Sequence, residues 1–183
     1  TTALFTFHSE TLSTVDTSKE IKRILEIIGD SNINVLFTYA NSDDGGRVIN
    51  SEIEEFASKD KEKYLVVKSL GQLKYLSAMK HLDFVIGNTS SGIIEAASFQ
   101  KPVINIGSRQ KGRLQSGNVI NCEILQLKDG IKKITSNEFC KKVGDLKNIY
   151  GVGSASEKIV KILEFTKIST LKKFQDFNNK IIK

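Results

Sequence analysis

Short apolar runs alternate along this chain with segments whose apolar residues recur every three or four positions. The runs predict buried strands, and the spaced segments predict amphipathic helices. Residues 3–7 form the first run, and residues 18–28 show the first helical spacing. Thr17 or Ser18 is the expected N-cap of that helix, because both side chains can accept a hydrogen bond from the first turn.

The same alternation continues to the end of the chain. Further strands are predicted at 34–39, 64–67, 84–86 and 103–106, and further helices at 48–58, at 72–80, from near 92, and at 154–165. Alternating strands and helices favour right-handed βαβ units, so we expect a Rossmann-like, three-layer α/β fold with a parallel sheet. We expect one domain over residues 1–167. A C-terminal helix over 168–183 carries an apolar stripe that packs on this domain or crosses to another domain or subunit.

The net charge of +6 is concentrated near the C-terminus. Residues 158–183 contain seven lysines against two acidic residues, whereas the other 20 basic and 19 acidic residues nearly balance. This distribution, with only four arginines, argues against a nucleic-acid surface. No apolar run approaches the roughly 18 residues that cross a bilayer, so we expect a soluble cytoplasmic protein without membrane contact. Cys122 and Cys140 lack metal-type spacing and are expected to be free and structural.

Polar residues follow several predicted strands, where parallel α/β sheets bind their ligands. His8 follows the first strand, and Asn41 begins a loop, NSDDGGR, after the second. Arg109 lies in the glycine-bracketed loop GSRQKGR after the fifth. Taken singly, each of these residues also fits an ordinary cap, turn or solvated loop.

The segment GNTSSG at 87–92 is the strongest local signal. Two glycines enclose four small polar residues between a strand and a helix, an arrangement that favours an anion site. The segment is neither a Walker A loop nor a GxGxxG fingerprint, which argues against an ATPase and an NAD enzyme. Glu95, expected on the first helical turn, can accept hydrogen bonds from both hydroxyls of a ribose, although a glutamate there also suits the helix dipole.

In combination, these segments resemble a known family. GNTSSGIIEAASF followed by PVINIGSRQKGR, with TFHSET and YANSDDGG upstream, is similar to the hydrolysing UDP-N-acetylglucosamine 2-epimerases of sialic-acid and related nonulosonic-acid biosynthesis. The resemblance extends to about Phe165. It implies the second half of a glycosyltransferase-B architecture, and therefore a missing N-terminal domain and a homo-oligomer.

The resemblance also implies roles for individual residues. His8 would contact the sugar nucleotide near the diphosphate and is the candidate catalytic, proton-transferring group. The other implied contacts are Asn41 with the nucleotide, Leu70 with uracil, Thr89, Ser90 and Arg109 with the diphosphate, and Glu95 with the ribose. The resemblance implies that UDP is eliminated from the sugar nucleotide to give a glycal, and that water then adds to the glycal to give N-acetylmannosamine. We expect neither a metal nor a cofactor. The family's acid and base carboxylates belong mainly to the other domain, so we expect this chain alone to be inactive.

Four alternatives stay open on the sequence. The nonhydrolysing UDP-N-acetylglucosamine 2-epimerases share the fold and nucleotide site. A hydrolysing enzyme for UDP-diacetylbacillosamine or for a GDP-linked sugar would have similar motifs. A glycosyltransferase-B domain would also bind a UDP sugar. A noncatalytic flavodoxin-like binding domain is the least demanding interpretation.

Overall fold

The computed structural model describes residues 1–10 and 16–167 of the chain. Within these residues, six parallel strands form one sheet in the order β3-β2-β1-β4-β5-β6. They are β1 (Thr2–Thr6), β2 (Asn34–Thr38), β3 (Tyr64–Val67), β4 (Phe84–Gly87), β5 (Val103–Ile106) and β6 (Val119–Cys122). The predicted parallel α/β fold is confirmed, and its sixth strand is an addition that the sequence did not predict.

Seven α-helices lie within the described residues, and the first four of them, which precede residue 106, follow the predicted alternation. They are α1 (Thr17–Gly29), α2 (Gly46–Ser58), α3 (Gly71–His81), α4 (Ser90–Ile94), α5 (Leu127–Ile134), α6 (Asn137–Gly144) and α7 (Ala155–Phe165). The helix predicted at 168–183 lies outside the described residues. None of the helices in the described part of the chain is long and apolar enough to cross a membrane.

The sheet buries side chains on both faces because successive residues of a strand point to opposite sides. On one face, Phe5 packs in a core with Phe37 and Ile86, its partners on the two adjacent strands. On the other face, Leu4 lies in a second core with Val85. Helices cover both cores, which gives the three layers and leaves the strand ends to form a ligand-binding edge.

Helices α1 to α4 all begin one or two residues earlier than the sequence predicts, and the starts of α1 and α4 change the predicted roles of individual residues. The N-cap of α1 is Asp16, whose side chain accepts hydrogen bonds from the backbone N–H groups of Ser18 and Lys19, so the prediction of Thr17 or Ser18 was wrong. Helix α4 begins at Ser90 because the preceding Thr89 caps it. Glu95 is therefore the C-cap of this short helix. The prediction that Glu95 lies on the first helical turn was wrong.

The chain divides into two compact units, Thr1–Gly151 and Val152–Lys183. The first unit contains the whole sheet and all the predicted site residues. The second unit, described as far as residue 167, contains α7, whose apolar residues are exposed. The domain boundary predicted at 167 stays a prediction. Cys122 is buried and Cys140 exposed, and both thiols are free; burial raises the pKa of Cys122 to about 11.

Candidate functional site

The order of the strands reverses beside β1, because β2 and β3 follow on one side and β4 to β6 on the other. Open parallel sheets bind ligands in the crevice at such a switch point, outside the carboxyl ends of the strands. Here β1 leads to His8 and β4 leads to Asn88. The backbone N–H of His8 donates to Asn88 Oδ1 over 2.8 Å, and Asn88 Nδ2 donates back to the His8 carbonyl, also over 2.8 Å.

Asn88 also holds the loop that follows β5. Its carbonyl accepts hydrogen bonds from Arg109 Nη1 at 3.2 Å and from Gln110 Nε2 at 2.8 Å. Asn88 is fully buried, and Gln110 is nearly so. One buried residue therefore connects the ends of three neighbouring strands, and it brings the Arg109 guanidinium to the side of the sheet where His8 lies.

A second contact fixes the start of the Arg109 loop. The carboxylate of Glu10, two residues after His8, accepts hydrogen bonds from the Ser108 backbone N–H at 3.2 Å and the Ser108 hydroxyl at 3.0 Å. The segment after β1 is therefore linked to the loop after β5 in two ways. Glu10 bonds Ser108 directly, and His8 is connected to Arg109 through Asn88.

The His8 ring is oriented by the loop after β2. The backbone N–H of Asn41 donates to His8 Nδ1 over 3.1 Å, while the Asn41 side-chain amide donates to Asp43. Burial, and then the positive charge of Arg109, lower the pKa of His8 below its ordinary value of 6.5. Asp43 and the Asn41 side chain act in the opposite direction but are outweighed. The ring is therefore neutral near pH 7.

A cavity of about 430 Å³ opens at the same edge of the sheet. That volume lies within the roughly 300–1,000 Å³ of small-molecule sites. The residues around it come from four strand ends and two helices: Thr6, Thr38, Tyr39, Lys68, Ser69, Leu70, Gly71, Gln72, Tyr75, Leu76, Thr89, Ser91 and Glu95. The lining combines the apolar side chains of Leu70 and Leu76 with the polar start of α4, a mixture that is typical of small-molecule sites.

Three hydroxyls in the lining form a directed chain of hydrogen bonds. Thr38 Oγ1 donates to the Phe5 carbonyl, so its oxygen accepts from Thr6 Oγ1 at 2.6 Å. Thr6 in turn accepts from the Tyr75 hydroxyl at 3.2 Å. Because a hydroxyl has a single hydrogen, this order leaves the lone pairs of the Tyr75 oxygen as acceptors for a ligand.

Two polar atoms in the cavity lining lack a protein partner. Ser91 Oγ and Glu95 Oε2 are buried and make no hydrogen bond among the described residues. A buried polar atom without a partner costs about 1–3 kcal/mol, so such atoms usually meet a ligand or water. Thr89 Oγ1, in contrast, accepts from the Ser91 backbone N–H at 3.4 Å as the cap of α4.

The structure divides the predicted site residues into two groups. Leu70, Thr89 and Glu95 line the cavity. His8 and Arg109 lie together beside Asn88, with the Asn41 backbone against the histidine ring. Ser90 begins α4 and is not among the lining residues.

Sequence reasoning missed Asn88, Gln110, Ser91 and Tyr75. Asn88 and Ser91 belong to the GNTSSG segment, but their spacing carries no signal for the buried bonds they make or lack. Within residues 1–10 and 16–167, no group of three or more histidine, cysteine, aspartate or glutamate side chains is placed to hold a metal ion.

An all-parallel sheet in this order, with a ligand-sized cavity at its carboxyl edge, defines a Rossmann-type binding domain. The family profile described as UDP-N-acetylglucosamine 2-epimerase matches residues 1–164, and the chain belongs to this family.

Curated relatives agree with this membership. The chain is 43% identical over 137 residues to a GDP/UDP-N,N'-diacetylbacillosamine 2-epimerase (hydrolyzing) of Campylobacter jejuni, covering 74% of this chain and 36% of that protein. It is 32% identical over 151 residues to a UDP-N,N'-diacetylbacillosamine 2-epimerase (hydrolyzing) of Legionella pneumophila, covering 82% and 39%. The chain therefore spans less than half the length of these relatives.

The fold also matches the Neisseria meningitidis UDP-GlcNAc 2-epimerase bound to UDP-GlcNAc, with a TM-score of 0.69 and 17% identity. The match covers 89% of this chain and 44% of that one. This likeness confirms the predicted Rossmann-like fold class.

Proposed function

We propose that this chain is the nucleotide-binding part of a hydrolysing UDP-sugar 2-epimerase. The observation that carries the proposal is the pair of buried, unpartnered atoms Ser91 Oγ and Glu95 Oε2 in a cavity at the carboxyl edge of the sheet. Membership of the epimerase family supports the same conclusion.

Each part of the cavity suits one part of a nucleotide. The Glu95 carboxylate accepts hydrogen bonds from the ribose hydroxyls, which gives its buried oxygen a partner. Leu70, half-buried at the turn before α3, packs on the base. Thr89 and Ser91 present hydroxyls at the start of α4, next to Asn88 and the Arg109 guanidinium. This order leads from the base to the diphosphate along one side of the crevice.

The sugar is a 2-acetamido sugar in this proposal, and two candidates are supported. The Campylobacter relative at 43% identity and the Legionella relative at 32% are both named as hydrolysing enzymes for N,N'-diacetylbacillosamine nucleotides. UDP-N-acetylglucosamine, the sugar predicted from the sequence motifs, is the second candidate. Product analysis on each sugar nucleotide separates them, and release of free sugar with UDP distinguishes the hydrolysing from the nonhydrolysing reaction.

The rest of the enzyme contributes the chemistry in this account. The relatives extend well beyond the part that this chain matches, and the predicted acid and base carboxylates belong to the other domain. We therefore propose that the chain binds UDP without turning over a UDP sugar. A homo-oligomer and a cytoplasmic location, both expected from the resemblance and composition, complete the proposal.

Calorimetric titration of the purified chain with UDP tests this function, and separate titrations with GDP and CMP serve as the comparison. Glu95→Gln keeps the shape of the side chain but removes its charge and one acceptor, so we expect UDP affinity to fall about tenfold or more. Glu62→Gln is the matched control, because Glu62 is exposed and lies outside the cavity. No UDP binding by a folded chain, or equal affinity in Glu95→Gln and wild type, would overturn the proposal.

A further inference from the structure

The hydrogen bond to the His8 ring restricts the chemistry of that residue. A neutral imidazole has one nitrogen that carries hydrogen and one that accepts, and the neighbouring groups decide which is which. The Asn41 backbone N–H can only donate, and it points to His8 Nδ1 at 3.1 Å. Nδ1 must therefore be the accepting nitrogen, and the hydrogen lies on Nε2.

We infer that His8 is held as the neutral Nε2–H tautomer and acts as a hydrogen-bond donor to an anionic ligand, not as a proton-transfer group. The inference rests on the proposed function for the identity of that ligand, the diphosphate of a nucleotide. It differs from the catalytic role predicted from the sequence. A nitrogen that already carries hydrogen cannot accept a proton from the substrate, and a neutral imidazole is too weak an acid to give one up.

The surroundings of the ring favour this state. Arg109, anchored to the Asn88 carbonyl, opposes a positive charge on His8, and burial opposes it more strongly. Asp43 and the Asn41 side chain favour the charged form, but the pKa of His8 is still lowered. Protonation would also place a hydrogen on Nδ1 and break the bond from Asn41, so it would release the loop after β2 from the ring.

The backbone of His8 is fixed independently of its ring. The two 2.8 Å bonds to the Asn88 side chain hold both the N–H and the carbonyl of His8. The backbone and Nδ1 of His8 are both bonded, so the inference assigns the ligand to Nε2. The donor is therefore oriented before any ligand arrives, which lowers the cost of binding.

The chain contains a control for this inference. It has two histidines, and His81 lies exposed at the C-terminal end of α3, away from the sheet edge where His8 lies. Nitrogen-15 NMR of the uniformly labelled chain reports the tautomer of both rings in one sample. We expect His8 to show an unprotonated Nδ1 and a protonated Nε2 near neutral pH, and the signals of the exposed His81 serve as the reference.

Two further readouts follow in the same experiment. On acidification from about pH 8 to about pH 5, the Asn41 amide resonance should move together with the ring resonances of His8. When UDP is added near neutral pH, the Nε2 signal of His8 should shift while Nδ1 stays unprotonated.

The inference would be overturned by a His8 ring with hydrogen on Nδ1, by a mixture of both tautomers, or by an imidazolium in the UDP complex. If UDP leaves every resonance unchanged, the proposed function and the donor role are contradicted together. The tautomer of His8 is measured on the chain without UDP. A lack of UDP binding can therefore be distinguished from a wrong tautomer.

Discussion

Asn88 and His8 form a closed pair in which the side-chain amide of one residue binds both backbone polar groups of the other, each over 2.8 Å. The pair lies between β1 and β4, where the strand order reverses. Both amide atoms of Asn88 are used, and the residue is fully buried. An asparagine is required here because only an amide of this size offers one donor and one acceptor at the same positions.

Asn88→Asp tests this pairing. Near pH 7 the introduced carboxylate would face the His8 carbonyl without a donor, so we expect a loss of about 3 kcal/mol in the free energy of unfolding. Protonation restores a donor, and the loss should therefore shrink near pH 4. Urea unfolding at both pH values measures the effect, with the exposed Asn32→Asp as control. An equal loss at both pH values would contradict the pairing.

Two substitutions should move the pKa of His8 in opposite directions. Burial is the largest cause of its lowered pKa and remains in both variants, whereas Arg109 lowers the pKa and Asp43 raises it. Arg109→Gln should therefore raise the pKa of His8 towards 6.5, and Asp43→Asn should lower it further. Titration of the ring protons by NMR measures both values, and a shift of the same sign in both variants would refute this electrostatic account.

The lowered pKa of His8 also makes stability depend on pH. Because the ordinary value is 6.5, the unfolded chain binds the proton more tightly than the folded chain does. Stability therefore falls as the pH drops below about 6.5 towards the lowered pKa. Unfolding of wild type and His8→Gln between about pH 7.5 and about pH 5 should show wild type losing stability relative to the variant. A difference that does not change with pH would show that His8 makes no such contribution.

Gly87 at the end of β4 is predicted to be irreplaceable. Its φ is +141°, and an added Cβ would lie 1.8 Å from the backbone oxygen of Thr6, its partner in the sheet. Gly87→Ala should cost about 3 kcal/mol or more in the free energy of unfolding, because backbone has to move. Gly144→Ala is the control, since beyond its chain neighbours and the backbone of its own helix no atom lies within 4 Å of the added methyl group. Thermal unfolding that ranks the two variants equally would contradict this explanation.

Much of the fold could be predicted from apolar spacing. The bounds of β3 and β5 match the predicted 64–67 and 103–106. Strand β6 was missed because it is an edge strand whose residues are mostly only partly buried, so its apolar pattern is weak. The start of α4 was predicted near Gly92 because the apolar residues begin after that position. The helix begins at Ser90 instead, because Thr89 in GNTSSG caps it.

The candidate site was only partly predictable. The motif around Glu95 identifies a polar strand end, but the burial of Glu95 Oε2 depends on the packing of α4 against the sheet. The bonds of Asn88 join residues about 80 and 21 positions apart in sequence, so no local pattern encodes them. The tautomer of His8 depends on a backbone N–H in another loop, where side-chain identity carries no information.

Mapping UDP on the labelled chain tests the central claim most directly. The account predicts that UDP shifts the backbone amides of His8, Leu70, Ser91 and Glu95 at the carboxyl edge of the sheet. A second cavity of about 270 Å³, lined by residues including Thr1, Lys128 and Thr135, serves as the internal reference. Saturable shifts confined to the first group would support nucleotide binding at the proposed site. Shifts centred on the second cavity, or none in the folded chain, would contradict it.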